Sequence, residues 1–182
     1  MQKYDNDLVA AFEVALRTSF SSLQKSYNEQ FYYYAFILDS GLYPYISAWS
    51  YEALEKSISK NKISDKDKVW WKWDCNDSPY IVYGYDEFFG EAKKLLDVRG
   101  EGLSMEVLFG DEWNIRKSSM EEALKRLDRT GFFGIDNERK KVVINVEIVP
   151  PDGSEYYSAL RLNPKSPLLL DYLEYCEQPE GD

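Results

Sequence analysis

Apolar residues recur every three or four positions at the start of the chain: Leu8, Phe12, Leu16, Phe20, Leu23 and Tyr27, with Val9 and Ala15 beside them. That period lines them up along one stripe of a helix, and Asp5 or Asn6 stands where its cap belongs. The pattern then changes. Phe31-Tyr-Tyr-Tyr-Ala-Phe-Ile-Leu38 is aromatic or aliphatic throughout, which predicts a central strand covered on both faces. Asp39-Ser-Gly41 is turn chemistry, and Leu42 to Trp49 predicts a second, antiparallel strand whose beginning Pro44 restricts. Ser50 then caps a helix with Ala53, Leu54 and Ile58 on its inner side, without the glutamate or glutamine at position N3 that a capping box requires.

Residues 59–68 form a polar connector. Val69-Trp-Trp-Lys-Trp73 predicts a short strand, on which Trp71 and Trp73 share one face while Trp70 and Lys72 share the other. Asp74 to Pro79 is dense in residues that bond their own backbone, as loops are. Asp86 opens a helix to about Asp97, which Arg99-Gly-Glu-Gly102 breaks; Leu103 to Trp113 is ambiguous, with a further short helix as one reading. Ser118-Ser-Met-Glu121 has capping-box spacing for a helix ending at Thr130-Gly131. Phe132–Ile135 and Lys141–Val149 predict a hairpin around Asp136-Asn-Glu-Arg139, Tyr156–Leu162 a further strand, and Pro167–Cys176 a last helix that frays from Glu177 onward. Helices and strands do not alternate regularly. The expectation is therefore an α+β fold, one domain over residues 1–182, with a mostly antiparallel sheet packed against about five helices. A mass of 21.3 kDa is enough to bury one substantial core.

Composition narrows the chemistry. The chain has no histidine, yet fifteen tyrosines, five tryptophans and a net charge of −10. Histidine is the usual proton shuttle near neutral pH and a preferred metal ligand, so Ser-His-Asp, Cys-His and His-ligated zinc sites are excluded. Cys75 and Cys176 lack a Cys-x-x-Cys spacing and read as two reduced thiols. The apolar run Phe31–Leu38 is far too short to span a bilayer, and no signal-type stretch opens the chain; the expectation is a cytoplasmic protein without membrane contact.

The acidity is concentrated. Residues 74–112 carry ten acids against Lys93, Lys94 and Arg99, a net of −7, and residues 171–182 carry five acids and no base. Such a field repels phosphates and attracts cationic proteins, so a basic protein partner is expected and nucleic acid is not. Tryptophan anchors many interfaces because it buries much area and keeps one donor. Clustered carboxylates beside indole rings thus mark a candidate partner-binding surface: Trp71, Trp73, Asp74, Asp77, Asp86 and Glu87. No catalytic residue, cofactor or metal ligand is assigned. Two other classes stay open: a hydrolase using the carboxylates of 74–87 for metal binding or acid–base work, and an adaptor that self-associates through exposed aromatics.

The order of these pieces resembles a bacterial domain-of-unknown-function family of about 180 residues. The shared elements are the N-terminal helix, the aromatic strand 31–38, Tyr43-Pro44 and the Ser50 helix. Trp71-Lys-Trp73-Asp74 then leads to Ser78-Pro79-Tyr80, followed by Leu127-Asp-Arg-Thr-Gly131-Phe132 and Leu162-Asn163-Pro164. The resemblance implies no catalytic residues. Small acidic proteins of this kind also resemble the immunity partners encoded beside bacterial toxins, which implies neutralisation of a cationic toxin domain.

Overall fold

A computed structural model describes residues 4–177; the fraying expected beyond Glu177 falls on residues outside that range. The first helix, α1 (Asn6–Ser26), forms where the apolar period places it. Its cap is Asp5, whose Oδ1 accepts from the Asp7 and Leu8 N–H groups at 2.9 and 3.0 Å. Leu8, Val9, Phe12, Ala15, Leu16, Phe20 and Leu23 are buried, while Tyr27 is left at the surface.

The sheet has three strands, β1 (Phe31–Asp39), β2 (Tyr45–Ser50) and β3 (Val143–Val149), in the order β2-β1-β3. The aromatic run is the central strand, buried from Phe31 to Leu38. It pairs antiparallel with β2 and parallel with β3. The fold is α+β as expected, and the sheet is mixed rather than mostly antiparallel. Backbone geometry accounts for the difference. Gly131 and Gly134 both take positive φ, and a Cβ on Gly134 would lie 3.1 Å from the Arg139 nitrogen. Phe132–Ile135 therefore turns instead of extending, and Asp136–Arg139 winds into a helix. With its expected hairpin partner gone, β3 pairs with β1.

Helices cover both sheet faces. α2 (Tyr51–Asn61) starts at Ser50, whose Oγ accepts from the Ala53 N–H at 2.9 Å. α3 (Lys68–Trp73) replaces the strand expected there. α4 (Tyr85–Phe88) and α5 (Gly90–Gly100) divide the helix expected from Asp86. α6 (Met105–Val107) runs through a π-turn, Leu108–Glu112, into α7 (Trp113–Arg129). Ser118 lies inside α7, so the Ser118–Glu121 spacing caps nothing; the helix begins earlier because its first buried positions, Glu112 and Arg116, are charged and escape an apolar-period reading. α8 (Asp136–Arg139) precedes β3. α9 (Ser154–Leu162) replaces the last expected strand, since its buried residues Glu155, Ser158, Ala159 and Leu162 follow a helical period. α10 (Pro167–Glu177) ends the described chain. Six of these helices have nine residues or more, where about five were expected.

Successive residues of β1 point to opposite faces. Phe36 and Tyr34 meet α1 through Phe12 and Phe20, at ring separations of 5.2 and 4.8 Å. Tyr33 points the other way, toward Trp73 of α3 and Tyr172 of α10, at 5.4 and 5.5 Å.

Candidate functional site

The loop after α3 is seated along the outer edge of β2. Trp49 Nε1 donates to the Asp74 carbonyl at 2.7 Å, Ser47 Oγ to the Cys75 carbonyl at 2.7 Å, and Ser78 Oγ to the Ala48 carbonyl. The Val82 N–H donates to the Ile46 carbonyl at 2.8 Å. These bonds cover an edge that would otherwise offer free backbone groups, and they hold the candidate carboxylates on a fixed frame. Asp74 is half-buried and accepts from the Asn76 N–H at 2.8 Å; Asp77, Asp86 and Glu87 are exposed. None of the four takes part in an ion pair among the described residues. Partial burial, with Asp74 close by, holds the Asp77 carboxyl above its ordinary value.

The tryptophans separate. In a helix, residues two apart point about 200° apart rather than to one side, so the shared face expected for Trp71 and Trp73 does not form. Trp73 is 1% exposed and meets Tyr32, Tyr33 and Tyr172 at 5.5, 5.4 and 5.1 Å. Trp71 is half-buried and donates to Ser57 Oγ at 2.9 Å. Trp70 packs edge-on against Tyr175 at 5.2 Å. Trp73 therefore belongs to the core and cannot be a contact residue in this conformation.

Part of the negative charge in 74–112 is spent internally. Glu112 is buried between Arg99, which reaches both its oxygens at 2.9 and 2.8 Å, and Arg116 at 3.0 Å. Arg116 also donates to the Leu42 and Leu96 carbonyls, and Arg99 to Asp5 at 2.6 Å. Beside Asp77, Asp86 and Glu87, the stretch leaves Glu101, Glu106 and Asp111 outside, all exposed and unpaired among the described residues. Around them lie exposed apolar side chains: Val98 and Met105, at 71% and 65%, with Val107 and Phe109. The end of α5 and the π-turn line a common cleft of about 460 Å³ that includes Asp97, Val98, Glu101 and Leu108. Sequence reasoning expected apolar area beside the acids at the tryptophans; exposed apolar side chains also stand here, beside Glu101 and Glu106.

A second feature lies at the other side of the sheet. A cavity of about 350 Å³ is walled by β3, α9 and α10 together with Trp70, Asp74 and Asn76. Glu147 of β3 sits in it, 9% exposed. Its Oε1 accepts from the phenols of Tyr33 and Tyr172 and from Asn145 Nδ2 at 3.1 Å. Asn145 Nδ2 also reaches Tyr172 Oη at 2.7 Å and the Glu155 carbonyl at 3.1 Å. Burial pushes the Glu147 carboxyl up, against the opposing effect of those hydrogen bonds, and burial also raises Glu155. Cys176, on the same wall, is a free thiol that burial pushes up to about 12; Cys75 is free, buried and also raised by burial. Burial thus works against forming the thiolate that nucleophilic chemistry uses. Asp74, Glu147 and Glu155 are spread around the wall, and no three acidic or thiol side chains of the described residues converge as a metal set.

Glu147 was missed in the sequence, although a signal was present. In Val143-Ile-Asn-Val-Glu-Ile-Val149, Asn145 and Glu147 are two apart in an otherwise apolar strand, which puts two polar groups on one buried face.

No helix of the described residues is long and apolar enough to cross a membrane. Comparison with curated proteins and with solved structures finds no match. A family model described as "Domain of unknown function (DUF4303)" matches residues 12–164, from α1 to just past α9. The match covers most of the chain, so the protein belongs to the DUF4303 family, a domain family of unknown function.

Proposed function

We propose that this chain is a protein-binding module of the immunity type, which neutralises a cationic toxin domain through its acidic face. One observation carries the reading: Asp77, Asp86, Glu87, Glu101, Glu106 and Asp111 are exposed and have no ion-pair partner among the described residues, whereas Glu112 of the same stretch is fully paired. Unpaired surface carboxylates leave an external field that speeds the approach of a basic protein and fixes its orientation. Val98, Met105, Val107 and Phe109 add apolar area beside Glu101, Glu106 and Asp111, which charge alone would not supply.

The test is co-expression with the product of the adjacent reading frame, followed by purification at low salt. The reading expects a one-to-one complex, lost when Asp86, Glu87 and Glu106 are changed together to lysine while the melting temperature holds. A complex that survives the triple reversal would mean that the interface lies elsewhere on the molecule.

A further inference from the structure

We propose that the cavity around Glu147 is a binding site for an alkylammonium group, held between Glu147 and the rings of Trp70, Tyr156, Tyr172 and Tyr175. Of the candidate partner-surface residues the site contains Asp74, and the proposal does not rest on that surface's function.

Three carboxylates, Asp74, Glu147 and Glu155, line the cavity, and no lysine or arginine of the described residues does. A buried carboxylate without a cationic partner is costly, and folded proteins normally pair it. Lys72, the base nearest in sequence to this wall, is engaged elsewhere: it pairs with Asp171 and lies over the Trp73 ring at 4.9 Å. Glu147 has one oxygen saturated by three donors, while the other accepts no hydrogen bond among the described residues; the side chain is nine-tenths buried and borders the cavity. The arrangement orients a carboxylate and leaves one oxygen for a donor from outside the chain.

The rings say what kind of donor. Trp70 and Tyr175 meet edge to face at 5.2 Å, and Tyr172 and Tyr175 lie 6.0 Å apart. Aromatic faces attract cations, and clusters of such rings hold ammonium groups. The carboxylates are spread around the wall instead of converging as a metal set. A cavity of about 350 Å³ lies in the range of small-molecule sites. An ammonium on an alkyl stem meets each condition: three N–H donors for carboxylate oxygens, a positive charge for the rings, and an apolar stem along their edges.

The chemistry has two sources, a free amine or the side chain of a lysine in another protein. Isothermal titration calorimetry on the full chain uses n-butylammonium, its neutral counterpart 1-butanol, and Nα-acetyl-lysine methylamide. The proposal expects n-butylammonium to bind and 1-butanol to bind roughly tenfold more weakly or not at all, the scale of losing one buried charge pair. Glu147→Gln should weaken the ammonium by a similar factor and Trp70→Leu by several-fold, while Glu55→Gln, exposed on α2 away from the cavity, changes nothing. If Glu147→Gln fails to fold by circular dichroism, Glu155→Gln and Trp70→Leu carry the same comparison. Tighter binding of the lysine amide assigns the site to a protein side chain; tighter binding of n-butylammonium assigns it to a free amine. Equal affinity for ammonium and alcohol, or wild-type affinity in folded Glu147→Gln, overturns the proposal.

Discussion

Arg161 on α9 grips Glu121 on α7 through both carboxylate oxygens, at 2.9 and 2.7 Å. Lys125, one turn further along α7, reaches one of the same oxygens at 2.7 Å. Burial alone would raise the Glu121 carboxyl, but these hydrogen bonds outweigh it and hold the group below its ordinary value. A carboxylate depressed in the folded state adds stability above its unfolded pKa, and that stability is lost as pH falls through the folded value. Glu121→Ala should therefore cost about 1–2 kcal/mol at neutral pH, between a surface pair and a buried one because Arg161 and Lys125 are partly solvated. The deficit should narrow at acidic pH, below the ordinary carboxylate range. Urea unfolding of both proteins at the two pH values checks this; an unchanged deficit would mean that packing, not charge, is what Glu121 supplies.

Arg116 is 2% exposed and ties together Glu112, the Leu42 carbonyl and the Leu96 carbonyl. Arg116→Ala strands two carbonyls and leaves Glu112 with Arg99 alone. We expect a loss of roughly 3–5 kcal/mol, as for a buried pair deprived of one member. A loss below about 1 kcal/mol in denaturant melts would show that water repairs the site.

Elements whose stability comes from a local, repeating pattern were legible in the sequence. The α1 stripe, the unbroken run of β1, the Ser50 cap and the last helix all stand where the residues predict them. Elements decided by distant partners were not. Val69–Trp73 reads as an aromatic strand, but Trp70 and Trp73, three apart, both reach α10 at Tyr175 and Tyr172 while Trp71 turns to Ser57 of α2, a spacing that follows a helical period and not a strand's. β3 was visible as a strand, yet its parallel pairing with β1 depends on a crossover of about a hundred residues that leaves no local mark. The acidic stretch was visible as charge; that Glu112 is internal and Asp86 external depends on Arg99 of α5 folding back to join Arg116, one turn along from Glu112.

Trp73 illustrates the same point with a measurable consequence. Enclosed by Tyr32, Tyr33 and Tyr172, its indole should cost about 3–5 kcal/mol when cut to alanine. Trp71→Ala, which removes a half-buried ring and one hydrogen bond, should cost less. Thermal melts of the two variants give the order, and a Trp71 deficit equal to or larger than that of Trp73 would contradict the burial.

Glu147 predicts the opposite pH behaviour to Glu121. Its carboxyl is raised in the folded state, first by burial, with Glu155 adding repulsion and Tyr172, Tyr33 and Asn145 opposing through hydrogen bonds. It therefore holds its proton more tightly folded than unfolded, so stability falls as pH rises from the ordinary carboxylate value through the folded one. Glu147→Gln keeps an acceptor for the two phenols and cannot ionise. Its melting temperature should gain on the wild type as pH rises from acidic to mildly alkaline. A difference independent of pH would mean that the carboxyl does not change charge across that range.

The acidic face is tested most directly by the association rate with the adjacent frame's product, measured by stopped flow at about 0.05 M and about 0.5 M salt, where screening differs strongly. The account predicts a rate that falls roughly tenfold or more across that range for the wild type, and a slow, nearly salt-independent rate for the chain carrying lysine at positions 86, 87 and 106. Equal rates for the two proteins at low salt would contradict it.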